Sequence, residues 1–273
     1  MFVSDQLVYL QLQKTGCTHV ADTLESVIGG ERDRWEKHGR MPDRFDPEDR
    51  IIVVSVRNPW DWYVSLWAFG CSGRGGLYND LTSKKPLEAV SQAVRNPTKM
   101  AQSVGHQLFK PVDDWKRVYA DWDDPELFQE WLHRLLETEF AYAARGRYLA
   151  NPISRFAGLF THRYVQLTTA AIDKYRGASG PKTLGELLEF DEEYNVVDDF
   201  IRLEHVEEDL IRVLDSTGYD LSEEQLEEIR NRTATNTSDR RETSYYYDSR
   251  SRDLVELKET LIVEKYGYGF PGG

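Results

Sequence analysis

The chain opens on a β-prone apolar run, Leu7-Val8-Tyr9-Leu10-Gln11-Leu12, after which Val20, Ala21, Leu24, Val27 and Ile28 recur at helical spacing. With Gln13-Lys14-Thr15-Gly16-Cys17-Thr18 between them, the pattern predicts a strand, a short loop and a helix. A second junction of the same kind follows. Ile51-Ile52-Val53-Val54-Ser55-Val56 is almost continuously apolar, as in a parallel strand covered on both faces, and Arg57 stands where it ends. Asn58 suits an N-cap and Pro59 the first helical position, so the helix is expected to begin at once, with Trp60, Tyr63, Val64 and Trp67 on one stripe. Ser65 then lies about two turns in, roughly 9–10 Å along the axis.

Residues 72–110 carry Gly73, Gly75, Gly76, Pro86 and Pro97 among polar residues and read as a loop-rich excursion. Leu127, Phe128, Trp131, Leu132, Leu135 and Leu136 predict a helix within 126–142. Phe200, Ile201 and Leu203 predict another core strand, followed by a helix through Leu210, Val213 and Leu214; 222–232 and 251–265 are predicted as further helices. Strands alternating with helices imply an α/β fold, a P-loop-like central parallel sheet with helices on both faces. One domain is expected over 1–273, its core at about 1–71 and 196–273 and a mostly helical insertion at about 72–195. In such a sheet ligands meet the carboxyl ends of the strands, where Lys14 and Arg57 stand.

Composition narrows the partners. The 273 residues, 40% of them hydrophobic, suffice for a full core, and a net charge of −13 argues against nucleic acid or an anionic membrane as the general partner. Met1–Asp5 has no signal-peptide pattern and no stretch approaches a membrane span, so a cytoplasmic protein is expected. Cys17 and Cys71 have no metal-like spacing. Free thiols in a reducing compartment are favoured over a Cys17–Cys71 disulfide.

The chemistry concentrates at the two junctions. Loop N–H groups and the positive end of a helix dipole converge where Gly16 lets the backbone come close, Thr15 and Thr18 add hydroxyls and Lys14 a full charge, a setting for a phosphate. Alone, Lys-Thr-Gly is more often an ordinary turn with a surface lysine. The Arg57 fork and the Ser65 hydroxyl at the second junction are placed to meet another anion, and together the junctions describe a clamp for a nucleotide with phosphates at both ends.

Both motifs, in this order and on these elements, resemble the PAPS-dependent sulfotransferases, PAPS being 3′-phosphoadenosine-5′-phosphosulfate. The pattern is similar to the carbohydrate-type branch, whose bacterial members often read PKTGGTS, a Lys-His pair, then VRNPWDRLVS. The counterparts are Gln13-Lys14-Thr15-Gly16-Cys17-Thr18-His19, Lys37-His38, and Val56-Arg57-Asn58-Pro59-Trp60-Asp61-Trp62-Tyr63-Val64-Ser65. The segment from Asp199 to Leu210 resembles that family's late strand-helix unit and Tyr266-Gly267-Tyr268-Gly269-Phe270 its closing aromatic motif, so the likeness touches about 5–70 and 196–270. Gln13 replaces a usual proline, Cys17 a small residue, His19 a serine and Trp62 a basic residue.

The resemblance implies that Lys14, Thr15, Gly16, Cys17, Thr18 and His19 bind the 5′-phosphosulfate, and Arg57 and Ser65 the 3′-phosphate. It implies sulfuryl transfer from PAPS to a hydroxyl or amine of a small-molecule or glycan acceptor, releasing PAP, with no metal. Lys14 then serves the departing phosphate oxygen, and acceptor recognition falls to the insertion. Of six histidines, His38 matches the family's Lys-His pair and is the expected base; His106, Glu31 and Glu36 are the alternatives, while His133 and His205 read as structural. Trp115, Tyr119, Trp122 and Trp131 offer a ring-stacking surface or, at near-helical spacing, a core. Arg240-Arg241 ahead of Tyr245-Tyr246-Tyr247 reads as a solvated pair or a closing element. Two rival readings share the loop: a P-loop kinase or NTPase, against which Lys14 precedes the only loop glycine, and a catalytically silent PAP-binding protein.

Overall fold

The computed structural model describes residues 1–32, 37–43, 45–84, 110–137, 148, 151–232 and 240–272. By compactness the chain divides into two units: Met1–Trp62 with Phe160–Thr237 and Leu261–Gly269, and Tyr63–Leu159 with Ser238–Thr260 and Phe270–Gly273.

The first unit is built on a five-stranded mixed open sheet. Its strands are β1 (Phe2–Val3), β2 (Leu7–Leu10), β3 (Glu31–Arg32), β4 (Ile51–Val56) and β5 (Asp199–Arg202), in the order β3-β1-β2-β4-β5. The strands β2, β4 and β5 are parallel, with Leu10 opposite Val54 and Val56 opposite Arg202. The strands β1 and β3 are not, which corrects the expectation of a wholly parallel sheet: the chain before β2 folds back through Ser4 N–H to the Leu7 carbonyl (2.9 Å), pairing Phe2 with Tyr9, and β3 adds antiparallel to β1. Two-residue strands carry no periodicity that a sequence pattern can reveal.

Side-chain alternation assigns the faces. Leu7, Tyr9, Val53 and Ile201 share one, covered by α1 (Cys17–Ile28) through Val20, Ala21, Leu24 and Val27 and by the helices Val206–Ser216 and Glu223–Asn231. On the other face the Phe200 ring meets Tyr266 at 4.8 Å, and the Tyr266 hydroxyl donates to Tyr164 (2.7 Å). Val8, Leu10, Val54 and Val56 are fully buried, so the parallel core is enclosed on both sides.

The second unit holds an aromatic core. The helix α2 (Pro59–Cys71), in which the division between units falls, brings Trp67, whose indole N–H donates to the Val118 carbonyl (2.7 Å) and whose ring meets Phe128 at 5.4 Å. The expected helix within 126–142 is Pro125–Leu136, started by proline and by Asp124, whose carboxylate accepts from the N–H groups of Glu126 and Leu127. Gly76–Thr82 is helical where a loop-rich stretch was expected, and Leu77 and Leu81, one turn apart, are buried; Val112–Arg117 is a further helix. The continuous helix expected over 251–265 is two, Ser249–Lys258 and Thr260–Tyr266. The break has its cause elsewhere in the chain, since the Lys258 carbonyl accepts from Gly158 N–H (2.6 Å) and the buried Glu259 carboxylate accepts from the Tyr63 hydroxyl. Both cysteines are free thiols, and no helix among the described residues is long and apolar enough to cross a membrane.

Candidate functional site

The loop from β2 to α1 is held by its carbonyl groups, one after another. The Gln11 carbonyl accepts from His38 Nδ1 (2.8 Å), Leu12 from the Thr15 hydroxyl (2.8 Å), Gln13 from the Trp62 indole N–H (2.7 Å) and Lys14 from Arg57 Nη1 (3.1 Å). Four consecutive oxygens are thus fixed by side chains from three stretches of the first unit. Lys14 has φ +64° and Gly16 φ +72°, with Thr15 between them on the ordinary negative side. Alternating handedness gathers successive N–H groups into a concavity suited to an anion. A lysine at positive φ costs about 1–3 kcal/mol and persists only where its surroundings impose it, as the Trp62 and Arg57 clamps do. Gly16 caps α1 without a side-chain bond, and no acidic residue occupies the first turn, so the positive helix end is not offset by the chain's own carboxylates there.

Gly16 is required twice over. A β-carbon on it would lie 2.4 Å from Leu203 Cδ1, and a left-handed backbone disfavours any L side chain. Gly16→Ala is therefore expected to destabilise the fold by about 1–3 kcal/mol in chemical denaturation, and to weaken phosphate binding with it; an unchanged midpoint contradicts this geometry.

Thr15 departs from its expected role. It is fully buried, and its hydroxyl ends a chain in which Tyr9 donates to Ser55 Oγ (2.6 Å), Ser55 to Thr15 Oγ1 (2.6 Å) and Thr15 to the Leu12 carbonyl. Burial pushes the Tyr9 phenol well above its usual range, which keeps it a donor. Thr15 offers a ligand only its backbone. Thr18 Oγ1 is half-buried and accepts from Lys37 Nζ (2.6 Å), which brings a second lysine to the helix end. Cys17 is buried in the first turn, its thiol pushed up by burial against the opposing charges of Lys37 and Lys14. His19 is buried in α1; burial first and the Arg232 charge next lower its pKa.

His38 is exposed overall, but its Nδ1 lies against the end of β2. A carbonyl can only accept, so Nδ1 carries the proton and Nε2 is the basic nitrogen. Desolvation lowers its pKa below the usual 6.5, the Lys37 and Arg163 charges lower it further, and the Gln11 contact opposes them. Neutral imidazole therefore prevails at pH 7. Arg163 lies over the Trp62 ring (5.4 Å to its centroid), and Trp62 stacks on Phe160 at 4.6 Å. Lys14, Lys37 and Arg163 bring positive charge to the neighbourhood of Cys17 and His38 in a chain of net charge −13.

At the end of β4, Arg57 is buried and donates Nε (2.8 Å) and Nη2 (2.6 Å) to Asp61 Oδ2, one helical turn on. Asn58 caps α2, its Oδ1 accepting from Trp60 N–H (3.1 Å), as its sequence position predicts. Its own N–H donates to Glu204 Oε1 (2.7 Å) and its Nδ2 to the Gly269 carbonyl (2.7 Å), while Tyr268 donates to Glu204 Oε2 (3.1 Å). The three sequence motifs that are far apart in the chain therefore meet at one sheet edge. No family model, no curated protein and no solved structure matches this chain. The functional reading accordingly rests on this geometry and on the motifs.

Ser65 is buried in α2 and belongs to the second unit. Glu36 and His106 lie outside the described residues; Glu31 is exposed on β3. His133 joins Glu137 Oε1 and Ser251 Oγ at 3.2 Å each, a nucleophile-base-acid order, but Ser251 is fully buried and no substrate can reach it. His205 is exposed beside Glu208. Trp115, Tyr119 and Trp131 are core, with Trp122 alone of the four exposed, and Arg241 forks onto Asp123 at 2.7 and 2.8 Å. Sequence reasoning missed Asp61, the Lys37–Thr18 bond and Arg163. Asp61 at i+4 from Arg57 was the one readable signal.

Proposed function

We propose that the protein transfers a sulfuryl group from PAPS to a hydroxyl or amine of a small-molecule or glycan acceptor, releasing PAP, as a cytoplasmic enzyme of P-loop-like fold. The observation that carries this reading is the loop at the N-terminal end of α1 whose carbonyls at Gln11, Leu12, Gln13 and Lys14 are all held by side chains, with Lys14 and Gly16 both at positive φ. Its three outside clamps are His38, Trp62 and Arg57, all in the first unit with the loop, which supports reading Lys14, His38 and Arg57 as parts of one site.

In the transfer the acceptor oxygen attacks sulfur and the bond from sulfur to the bridging oxygen breaks. Negative charge builds on the departing phosphate, which Lys14 and the end of α1 stabilise, while His38 Nε2 takes the acceptor proton. Arg57 holds the 3′-phosphate. The order of Lys14 before Gly16 favours this donor over a nucleoside triphosphate, whose lysine follows the glycines.

The test is thermal unfolding with nucleotides. PAP is expected to raise Tm most, adenosine 5′-phosphosulfate less and ATP with Mg²⁺ little, because PAP alone carries the 3′-phosphate. Equal shifts with PAP and ATP–Mg²⁺ would overturn the reading.

A further inference from the structure

We propose that Asp61 is a gate on the Arg57 site, a specificity residue that pairs the arginine when no nucleotide is bound and so admits a phosphate monoester, whose several oxygens can take over both of its bonds, in preference to single-atom anions such as chloride. The inference rests on the reading that Arg57 meets a 3′-phosphate. Its basis is the pairing itself: a single oxygen of Asp61 takes both Nε and Nη2 of a buried guanidinium, at 2.8 and 2.6 Å, while Nη1 is turned to the Lys14 carbonyl.

Asp61 is itself half-buried, so water screens the pair only in part. An anion arriving at Arg57 comes within a few ångströms of that carboxylate and is repelled by it. A monoanion gains one charge interaction with the arginine and loses a comparable one to Asp61. A phosphate dianion doubles both, so charge alone does not choose between them; the monoester wins the guanidinium because its several oxygens can take over both bonds that Asp61 makes to Nε and Nη2, which a single-atom anion such as chloride cannot. The arrangement also keeps Arg57 in place for the Lys14 loop without a ligand, so an empty site does not collapse.

Asp61→Asn separates charge from shape, since the amide oxygen still accepts from Arg57. With the repulsion gone, PAP affinity measured by calorimetry is expected to rise about tenfold, while AMP, which has no 3′-phosphate, changes less than twofold. Chloride at high concentration is expected to inhibit PAP binding more in the variant than in the wild-type protein, beyond general screening. Asp61→Ser, which removes the charge with a smaller side chain, gives the same direction should the asparagine variant fold poorly. If wild-type protein prefers PAP to AMP but both variants bind PAP no more tightly than wild type, the gate is wrong and the functional reading stands. If wild-type protein binds PAP and AMP alike, the reading of Arg57 fails and the gate fails with it.

Discussion

Arg57→Ala is expected to weaken PAP binding by about 2–4 kcal/mol, a loss of roughly 30- to 1000-fold. Two contributions add. The variant loses the charged fork proposed for the 3′-phosphate, and it takes from the half-buried Asp61 the guanidinium that pairs with it. A third effect reaches the other end of the nucleotide, because Arg57 also clamps the Lys14 carbonyl. AMP affinity should therefore fall too, but by less than PAP affinity. Calorimetry with both ligands checks the ratio; an unchanged PAP affinity means that the 3′-phosphate lies elsewhere.

His38→Ala is expected to bind PAP almost as tightly as the wild-type protein yet to lose about 10²–10⁴-fold in turnover. Its imidazole hydrogen-bonds the loop at the Gln11 carbonyl, so the contacts proposed for the nucleotide at Lys14, Gly16 and the helix end would be kept. The sign of the pH dependence follows from the shift. Desolvation, Lys37 and Arg163 hold the pKa below 6.5, so the base is already neutral at pH 7 and wild-type turnover falls only as pH drops through that lowered value. The variant should lack this acidic limb. Turnover at the wild-type rate in His38→Ala moves the role to Glu36 or His106.

Much of the site was legible because its cues are local. Asn58 before Pro59 is a capping signal, and Asn58 Oδ1 does bond Trp60 N–H; Gly16 at a strand-to-helix turn signals a permissive backbone, and it has φ +72°. Both depend on residues no more than a few positions away. The β2, β4 and β5 runs were readable for the same reason, although Gln11 and Leu12 leave β2 to enter the clamped loop.

What could not be read depends on contacts made across the fold. Thr15 looked like a ligand donor because its position in the motif says nothing about which way its hydroxyl turns, and the turn is decided by Ser55, 40 residues away. Trp62 stands where a basic residue is frequent, yet it is fully buried, because its N–H serves Gln13 and its ring meets Phe160. The break at Glu259 is equally remote in origin, since apolar spacing continues through it while Gly158 and Tyr63 draw the backbone and the carboxylate aside. The N-terminal hairpin escaped for a different reason: strands of two residues are stabilised by pairing, not by any pattern of their own.

The central claim is sulfuryl transfer, and its most direct measurement is the fate of label from ³⁵S-PAPS. Wild-type protein and His38→Ala are incubated side by side with a panel of glycans and small alcohols, and the label is followed into acceptor and PAP release is quantified. The account predicts label in at least one hydroxyl or amine acceptor with stoichiometric PAP release, and a loss of about 10²–10⁴-fold in the variant despite retained PAP binding. PAP binding by the wild-type protein with no label passing to any acceptor would contradict it.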